Sequence, residues 1–320
     1  TALAQVLADN EVDVLIWGRN LDEVVDIQKY HLNEAYFPQV KLNPNIKASH
    51  KFNDLKDADI ILLAVPTAAV EAVSRQLNDI LEKETVIINV AKGFHPTTHA
   101  LLSDVIKDTV EKDKLKGVVS LIGPSHAEDV VLRKLTAVNA VSEDQALAYD
   151  IQHLFSNDYF RVYRTDDVIG AQIGVAIKNI IAVAAGIIAG LDLGDNARAA
   201  LITRGLAEMT RFGVHFGGRA ETFLGLCGVG DLVVTASSVH SRNYQAGLLI
   251  GQADSAENFL TNNTKTVEGV HAAKAVYEIA EEAGISMPIT QEIYRVIYEN
   301  KTPSVAIAEL MARDLKKEYI

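Results

Sequence analysis

At 320 residues the chain exceeds what one hydrophobic core supports, about 250–300 residues, so two domains are expected. Its 48% hydrophobic and 22% charged residues are those of a globular protein and exclude a disordered chain. A net charge of −12 argues against nucleic acid or an anionic membrane as partner, since both attract basic surfaces, but leaves room for a local basic pocket.

The chain opens on TALAQVLADN, without an initiator Met and without a charged-then-apolar secretory pattern. This opening reads as a helix of the kind that a glycine-rich phosphate turn feeds, although no G-x-G-x-x-G follows a strand in the chain. Residues 12–17 (VDVLIW), 59–65 (DIILLAV), 85–90 (TVIINV) and 118–122 are short, nearly continuous apolar runs, which suit parallel strands covered on both faces. Each ends at a turn signal: Gly18, Pro66, Gly93 and Gly123-Pro124. Amphipathic segments such as 68–81 lie between them, and this rhythm predicts an α/β domain built on a doubly wound parallel sheet.

Ligands of such sheets bind beyond the carboxyl ends of the strands. Gly18-Arg19-Asn20 stands at the first such end; an acid there suits the ribose hydroxyls of NAD, whereas Arg19 suits the 2′-phosphate of NADP. Ala91-Lys92-Gly93 stands at another, where Lys92 is placed to meet an anion or simply to be solvated. Gly123-Pro124-Ser125-His126-Ala127-Glu128-Asp129 follows a third, with Ser125 expected as a helix N-cap and the acids in the first turn.

From about residue 166 strand-like runs give way to long helical segments, 168–189, 197–212, 267–283 and 290–299. The expected division is therefore an α/β domain over 1–165 and an all-helical domain over 166–320. The Asn/Thr-rich stretch 254–265 reads as a mobile surface loop. The run GVAIKNIIAVAAGIIAG (174–190) falls short of the roughly 20 apolar residues of a membrane span, and a lysine at its centre opposes insertion.

That lysine, Lys178, shares a helical row with Gly170, Gly174, Ala182, Gly186 and Gly190, bordered by Ile177, Ile180 and Ile181. Glycine in a helix interior costs about 0.5–1 kcal/mol, so the row implies close approach of another backbone or of a ligand. Two readings stand side by side: Lys178 snorkels to the surface, or it is partly buried in a cleft as an acid–base group with Asn179 orienting a substrate oxygen. Arg204, the only charged residue in the first half of ALITRGLAEM, suggests a buried ion pair. Cys227 reads as a small buried residue; as the only cysteine it excludes an intrachain disulfide and fits a reducing cytoplasm. Gly228-Val229-Gly230-Asp231 reads as a tight turn with Asp231 as a helix N-cap, and Ser241-Arg242-Asn243 as a phosphate fork. The nine histidines, His126, His215 and His240 among them, show no metal-ligand spacing.

Taken in order, TALA, VLIWGR, AKG, GPSHAED, FRVY, IKNIIAVAAG, GDNARAALITRGLAEM, GVGDLVVT, HSRN, TVEG and MPIT form a constellation. With it the chain resembles bacterial NAD(P)-dependent glycerol-3-phosphate dehydrogenases from Thr1 almost to its C-terminus. The resemblance implies an N-terminal Rossmann-like doubly wound sheet, lacking here its first strand and Gly-rich loop, followed by an all-helical substrate domain. It implies NAD or NADP as cofactor, a small phosphorylated substrate, a homodimer, and a cytoplasmic supplier of sn-glycerol 3-phosphate for phospholipid synthesis. Carried onto this chain, Lys178 becomes the proton acceptor, Lys92 touches both cofactor and substrate, and Gly123, Ser125, Asp231, Ser241, Arg242 and Asn243 belong to the substrate site. Arg19, Ala127, Arg242, Thr266 and Glu268 become cofactor contacts, and His126 stands where the family often has Phe. Two alternatives remain: another lysine-dependent two-domain dehydrogenase, of the 6-phosphogluconate or β-hydroxyacid type, and a dinucleotide-binding sensor without catalysis.

Overall fold

The computed structural model describes residues 1–263, 266–315 and 317–318, and its contacts divide the chain into two units: Thr1–Ala91 with Ala100–Val168, and Lys92–His99 with Ile169–Ile320. In the first unit α1 (Ala2–Asp9) leads to β1 (Leu15–Trp17), α2 (Leu21–Val25), β2 (Lys47–Ser49), β3 (Ile60–Leu63), α3 (Val70–Ile80) and β4 (Thr85–Asn89). After residues 92–99 follow α4 (Leu102–Thr109), β5 (Leu115–Ile122), α5 (Ala127–Val131), β6 (Thr136–Val141), α6 (Gln145–Phe155) and β7 (Phe160–Thr165).

β1 and β2 pair in parallel, and β3 to β7 form a five-stranded sheet in chain order. The side chains of the sheet alternate between two cores. Val86 and Ile88 of β4 and Val119 and Leu121 of β5 pack with α1, α5 and α6, whereas Ile87 and Val118 pack with α3 and α4. Helices on both faces explain the uninterrupted apolar runs and make the fold doubly wound. The sheet is parallel except between β5 and β6, which run antiparallel. β6 and β7 are absent from the expectation drawn from the sequence: in β7 Val162 packs inward while Arg161 and Tyr163 face out, and in the largely buried β6 Asn139 interrupts the apolar residues, so neither shows a continuous apolar run. Asp9 fastens α1 in place by accepting hydrogen bonds from Arg133 (2.7 and 3.0 Å), Tyr159 (2.7 Å) and Asn43 (2.9 Å).

The second unit is built from α7 (Val168–Gly190), α8 (Gly194–His215), α9 (Ala220–Phe223), α10 (Asp231–Ser237), α11 (Arg242–Ala253) and α12 (Glu257–Asn262), then α13 (Glu268–Ala283), α14 (Pro288–Tyr298) and α15 (Pro303–Met311). No strand follows Thr165 among the described residues. The expected loop 254–265 instead contains α12; Thr264 and Lys265 lie outside the described residues. Asp254 ends α11 in the left-handed region (φ 47°) and accepts from the backbone N–H (2.8 Å) and hydroxyl (2.6 Å) of Ser304.

α7 is 23 residues long, so the expectation of a run too short to span a membrane does not hold; 89% of its most apolar window is buried in the protein, which makes it a core helix. The helical stretch Ala220–Ser237 meets the same length and composition test with 39% buried. The row of small residues on α7 serves backbone approach. A β-carbon on Gly186 or Gly190 would collide with the carbonyls of Tyr244 and Leu248 on α11. Reciprocally, one on Gly247 or Gly251 would collide with the carbonyls of Val183 and Ile187 on α7. At the other end a β-carbon on Gly174 would stand 2.6 Å from the Cys227 carbonyl oxygen.

Candidate active site

Lys178 does not snorkel. Its residue is 2% exposed, and its ammonium is held inside the second unit by Asp231, itself 1% exposed. Nζ lies 2.5 Å from Asp231 Oδ1 and donates to Thr235 Oγ1 at 2.8 Å. The Thr235 hydroxyl spends its own hydrogen on the Asp231 backbone carbonyl one turn earlier (2.6 Å), so towards Lys178 it acts as an acceptor. Lys92 Nζ faces Asp231 Oδ2 at 3.5 Å, a charge contact too long for a good hydrogen bond, and Oδ2 accepts none among the described residues.

Asp231 is not the N-cap of α10: Gly230 occupies that place and Asp231 is the first helical residue. A π-helical turn, Leu226–Gly230, delivers it there, and Gly228 lies so close to the Phe223 backbone that a β-carbon would overlap it. The carboxylate is thereby turned from its own helix end towards α7. Burial pushes the Asp231 carboxyl up, but the ammonium groups of Lys178 and Lys92 hold it below the usual range. Burial pulls Lys178 down to about 7, Asp231 opposes that shift, and Lys92 adds to it.

A second network lies beside the first. Asn243 donates Nδ2 to Asn179 Oδ1 (3.0 Å) and accepts the Gly269 N–H (2.8 Å), tying α7, α11 and the start of α13 together. Ser241, buried, caps α11 by accepting the Tyr244 N–H at 3.2 Å. Arg242 is the first residue of α11, exposed, and pairs with no carboxylate among the described residues. Thr266 is exposed and Glu268 opens α13. The second unit thus brings together Lys178, Asp231 and Lys92, with Ser241, Arg242 and Asn243 at one helix start.

In the first unit, Arg19 follows β1 at its carboxyl end, exposed and without an ion pair among the described residues, while Asn20 caps α2 by accepting the Asp22 N–H (3.0 Å). Gly123 ends β5 where a β-carbon would stand 2.9 Å from Val138 Cα. Ser125 is not an N-cap: its hydroxyl donates to the Gly123 carbonyl (3.1 Å), and His126 holds the cap position ahead of Ala127, the first residue of α5. Arg204 is not in a buried pair; it is half-exposed, 4.0 Å from Glu318. Thr235 is a site residue that reading by type overlooks, because a threonine inside GVGDLVVT looks like helix filler. Its one signal is the i, i+4 spacing from Asp231.

Comparison with known proteins agrees with this arrangement. Family models for the N-terminus and the C-terminus of NAD-dependent glycerol-3-phosphate dehydrogenase match residues 1–148 and 167–308. The chain is 46% identical over 319 residues to the glycerol-3-phosphate dehydrogenase [NAD(P)+] of Enterococcus faecalis, covering 99% of this chain and 94% of the relative. It is 45% identical over 319 residues to that of Staphylococcus epidermidis, covering 99% and 96%. A crystal structure of glycerol-3-phosphate dehydrogenase from Coxiella burnetii, 35% identical, superposes with a TM-score of 0.89 over 98% of this chain and 95% of the other.

Proposed function

Because the chain belongs to the NAD-dependent glycerol-3-phosphate dehydrogenase family, we infer that it reversibly reduces dihydroxyacetone phosphate to sn-glycerol 3-phosphate with NADH or NADPH. The nicotinamide, when bound, supplies the hydride in one direction and accepts it in the other. The residues present suit such a cofactor: the guanidinium of Arg19, without an ion pair among the described residues, stands beyond the carboxyl end of β1, and the first turn of α5 follows the carboxyl end of β5.

One observation carries the acid–base assignment. Lys178 has three N–H donors; Asp231 and Thr235 take two, and no described residue takes the third. In the reducing direction that N–H transfers its proton to the substrate's carbonyl oxygen as hydride reaches the carbon, and C=O becomes CH–OH. In the oxidising direction the neutral amine accepts the hydroxyl proton. Asp231 orients the ammonium and balances its charge, Lys92 meets the substrate near Asp231, and Arg242 with the start of α11 anchors the phosphate. The same reading gives a cytoplasmic enzyme that provides glycerol 3-phosphate for phospholipid synthesis.

A substrate panel tests the function. Oxidation of NADH or NADPH should require dihydroxyacetone phosphate, whereas activity on 6-phosphogluconate or β-hydroxyacids in its place would move the enzyme to a different dehydrogenase family. Tight NAD(P)H binding with no turnover of any ketone would favour the sensor.

A further inference from the structure

Lys92 follows β4 by three residues, so a strand-end loop moving with the sheet is the expected carrier. The contacts say otherwise: Ala91 belongs to the first unit, but Lys92–His99 group with the second. Asn89 closes the strand side, accepting the Ala91 N–H (3.1 Å) and donating to the Ala91 carbonyl (3.3 Å). Gly93 then turns the chain at φ 121°, a value that a residue with a β-carbon adopts only under strain. Phe94, the one large apolar side chain of KGFHPTTH, is 8% exposed. Beyond it the backbone closes on itself: the His95 carbonyl accepts the His99 N–H (3.0 Å), and His95 Nδ1 accepts the Thr98 N–H (3.2 Å). His99 Nε2 lies 3.7 Å from Glu278 Oε2 on α13.

We propose that residues 92–99 are a strap that fixes Lys92 against Asp231 within the unit that carries Lys178, with Phe94 as the positioning residue that anchors it. The strap lets Lys92, Asp231 and Lys178 keep their spacing as one body. His99–Glu278 is the weaker outer tie, because a partly exposed pair at that distance contributes little. The proposal rests on the assignment of Lys92 to the substrate site.

A double-mutant cycle tests both separately. Lys92→Ala alone examines the assignment: wild-type kcat/KM for dihydroxyacetone phosphate in that variant would remove the premise. Given a loss there, Phe94→Ala should lower kcat/KM about tenfold, since small displacements of a polar contact weaken catalysis steeply, and Phe94→Leu should recover most of it. In the Lys92→Ala background Phe94→Ala should change kcat/KM less than about twofold, because the strap has nothing left to position. An equal loss in both backgrounds, or none in either, overturns the proposal. If Phe94→Ala does not fold, Phe94→Val carries the same cycle, with a smaller loss expected in the wild-type background and none beside Lys92→Ala; equal losses again overturn it.

Discussion

Lys178 and Asp231 form an ion pair 2.5 Å long in which neither residue is more than 2% exposed. Such a pair is a poor device for stability, because removing two charges from water offsets most of their attraction. On the function proposed above, its value lies in holding a proton donor in one orientation against an apolar helix. Lys178→Met should therefore lower turnover roughly 10²–10⁴-fold while NAD(P)H affinity stays within a few-fold. Steady-state kinetics and a fluorescence titration of NADPH measure the two; turnover close to wild type would remove Lys178 from the mechanism.

The direction of the Lys178 shift sets the pH dependence. With the ammonium pulled down to about 7, ketone reduction needs the protonated form and should fall as pH rises through that region. Alcohol oxidation needs the amine and should rise over the same interval. Asp231 opposes the shift, so Asp231→Asn should move both limbs to lower pH, read from kcat in each direction. Limbs that stay in place would mean that another group titrates.

Thr235 receives the second Lys178 proton. Hydrogen bonds to charged groups contribute about 1.5–3 kcal/mol, so Thr235→Val should lower kcat by roughly 10–100-fold and leave KM for cofactor nearly unchanged. Thr235→Ser, which keeps the hydroxyl, should recover most of the rate. Equal effects of the two substitutions would point to packing instead of the hydrogen bond.

The sequence made the fold legible where a single physical signal dominated. β3, β4 and β5 read as apolar runs and α7 reads from its composition; the half-buried β7 alternates and the run of β6 is broken by Asn139, so those two do not. For the site, residue type and motif order pointed to Lys178, Asp231 and the Ser241–Asn243 group, but not to their roles in space. Asp231 and Ser125 both have the chemistry of an N-cap, and neither is one, because a π turn rotates the first towards α7 and a turn carbonyl occupies the second. Beyond its i, i+4 spacing from Asp231, the place of Thr235 depends on Lys178, 57 residues away, and the grouping of residues 92–99 likewise depends on contacts between residues distant in sequence.

The glycine row predicts a stability effect separable from catalysis. On α11 the β-carbon of an alanine at 247 would overlap the Val183 carbonyl, and backbone cannot move aside as a side-chain tip can. Gly247→Ala should destabilise by about 1–3 kcal/mol or more through forced separation of α7 and α11. Thermal melting should show a midpoint lower by several degrees. An unchanged midpoint would mean that the helices part without cost, and that close approach is not what the row provides.

Glu208, on α8 and 3% exposed, caps a helix from outside it. Its carboxylate accepts the N–H groups of Ile289 (2.7 Å) and Thr290 (3.2 Å) at the start of α14, where Pro288 has no N–H to offer. Burial nevertheless raises this carboxyl to about 7, against those bonds and the charge of Arg211. A folded-state value above the unfolded one of 4.5 means that the folded protein retains a proton that the unfolded chain has already lost. The group's contribution to stability is thus complete below about pH 4.5 and declines as pH rises through about 7. Glu208→Gln mimics the protonated form at every pH, so the variant's melting temperature minus that of the wild type should increase from pH 5 to pH 8. Scanning calorimetry at the two pH values measures it; a constant difference would show that the hydrogen bonds from α14 keep Glu208 ionised throughout.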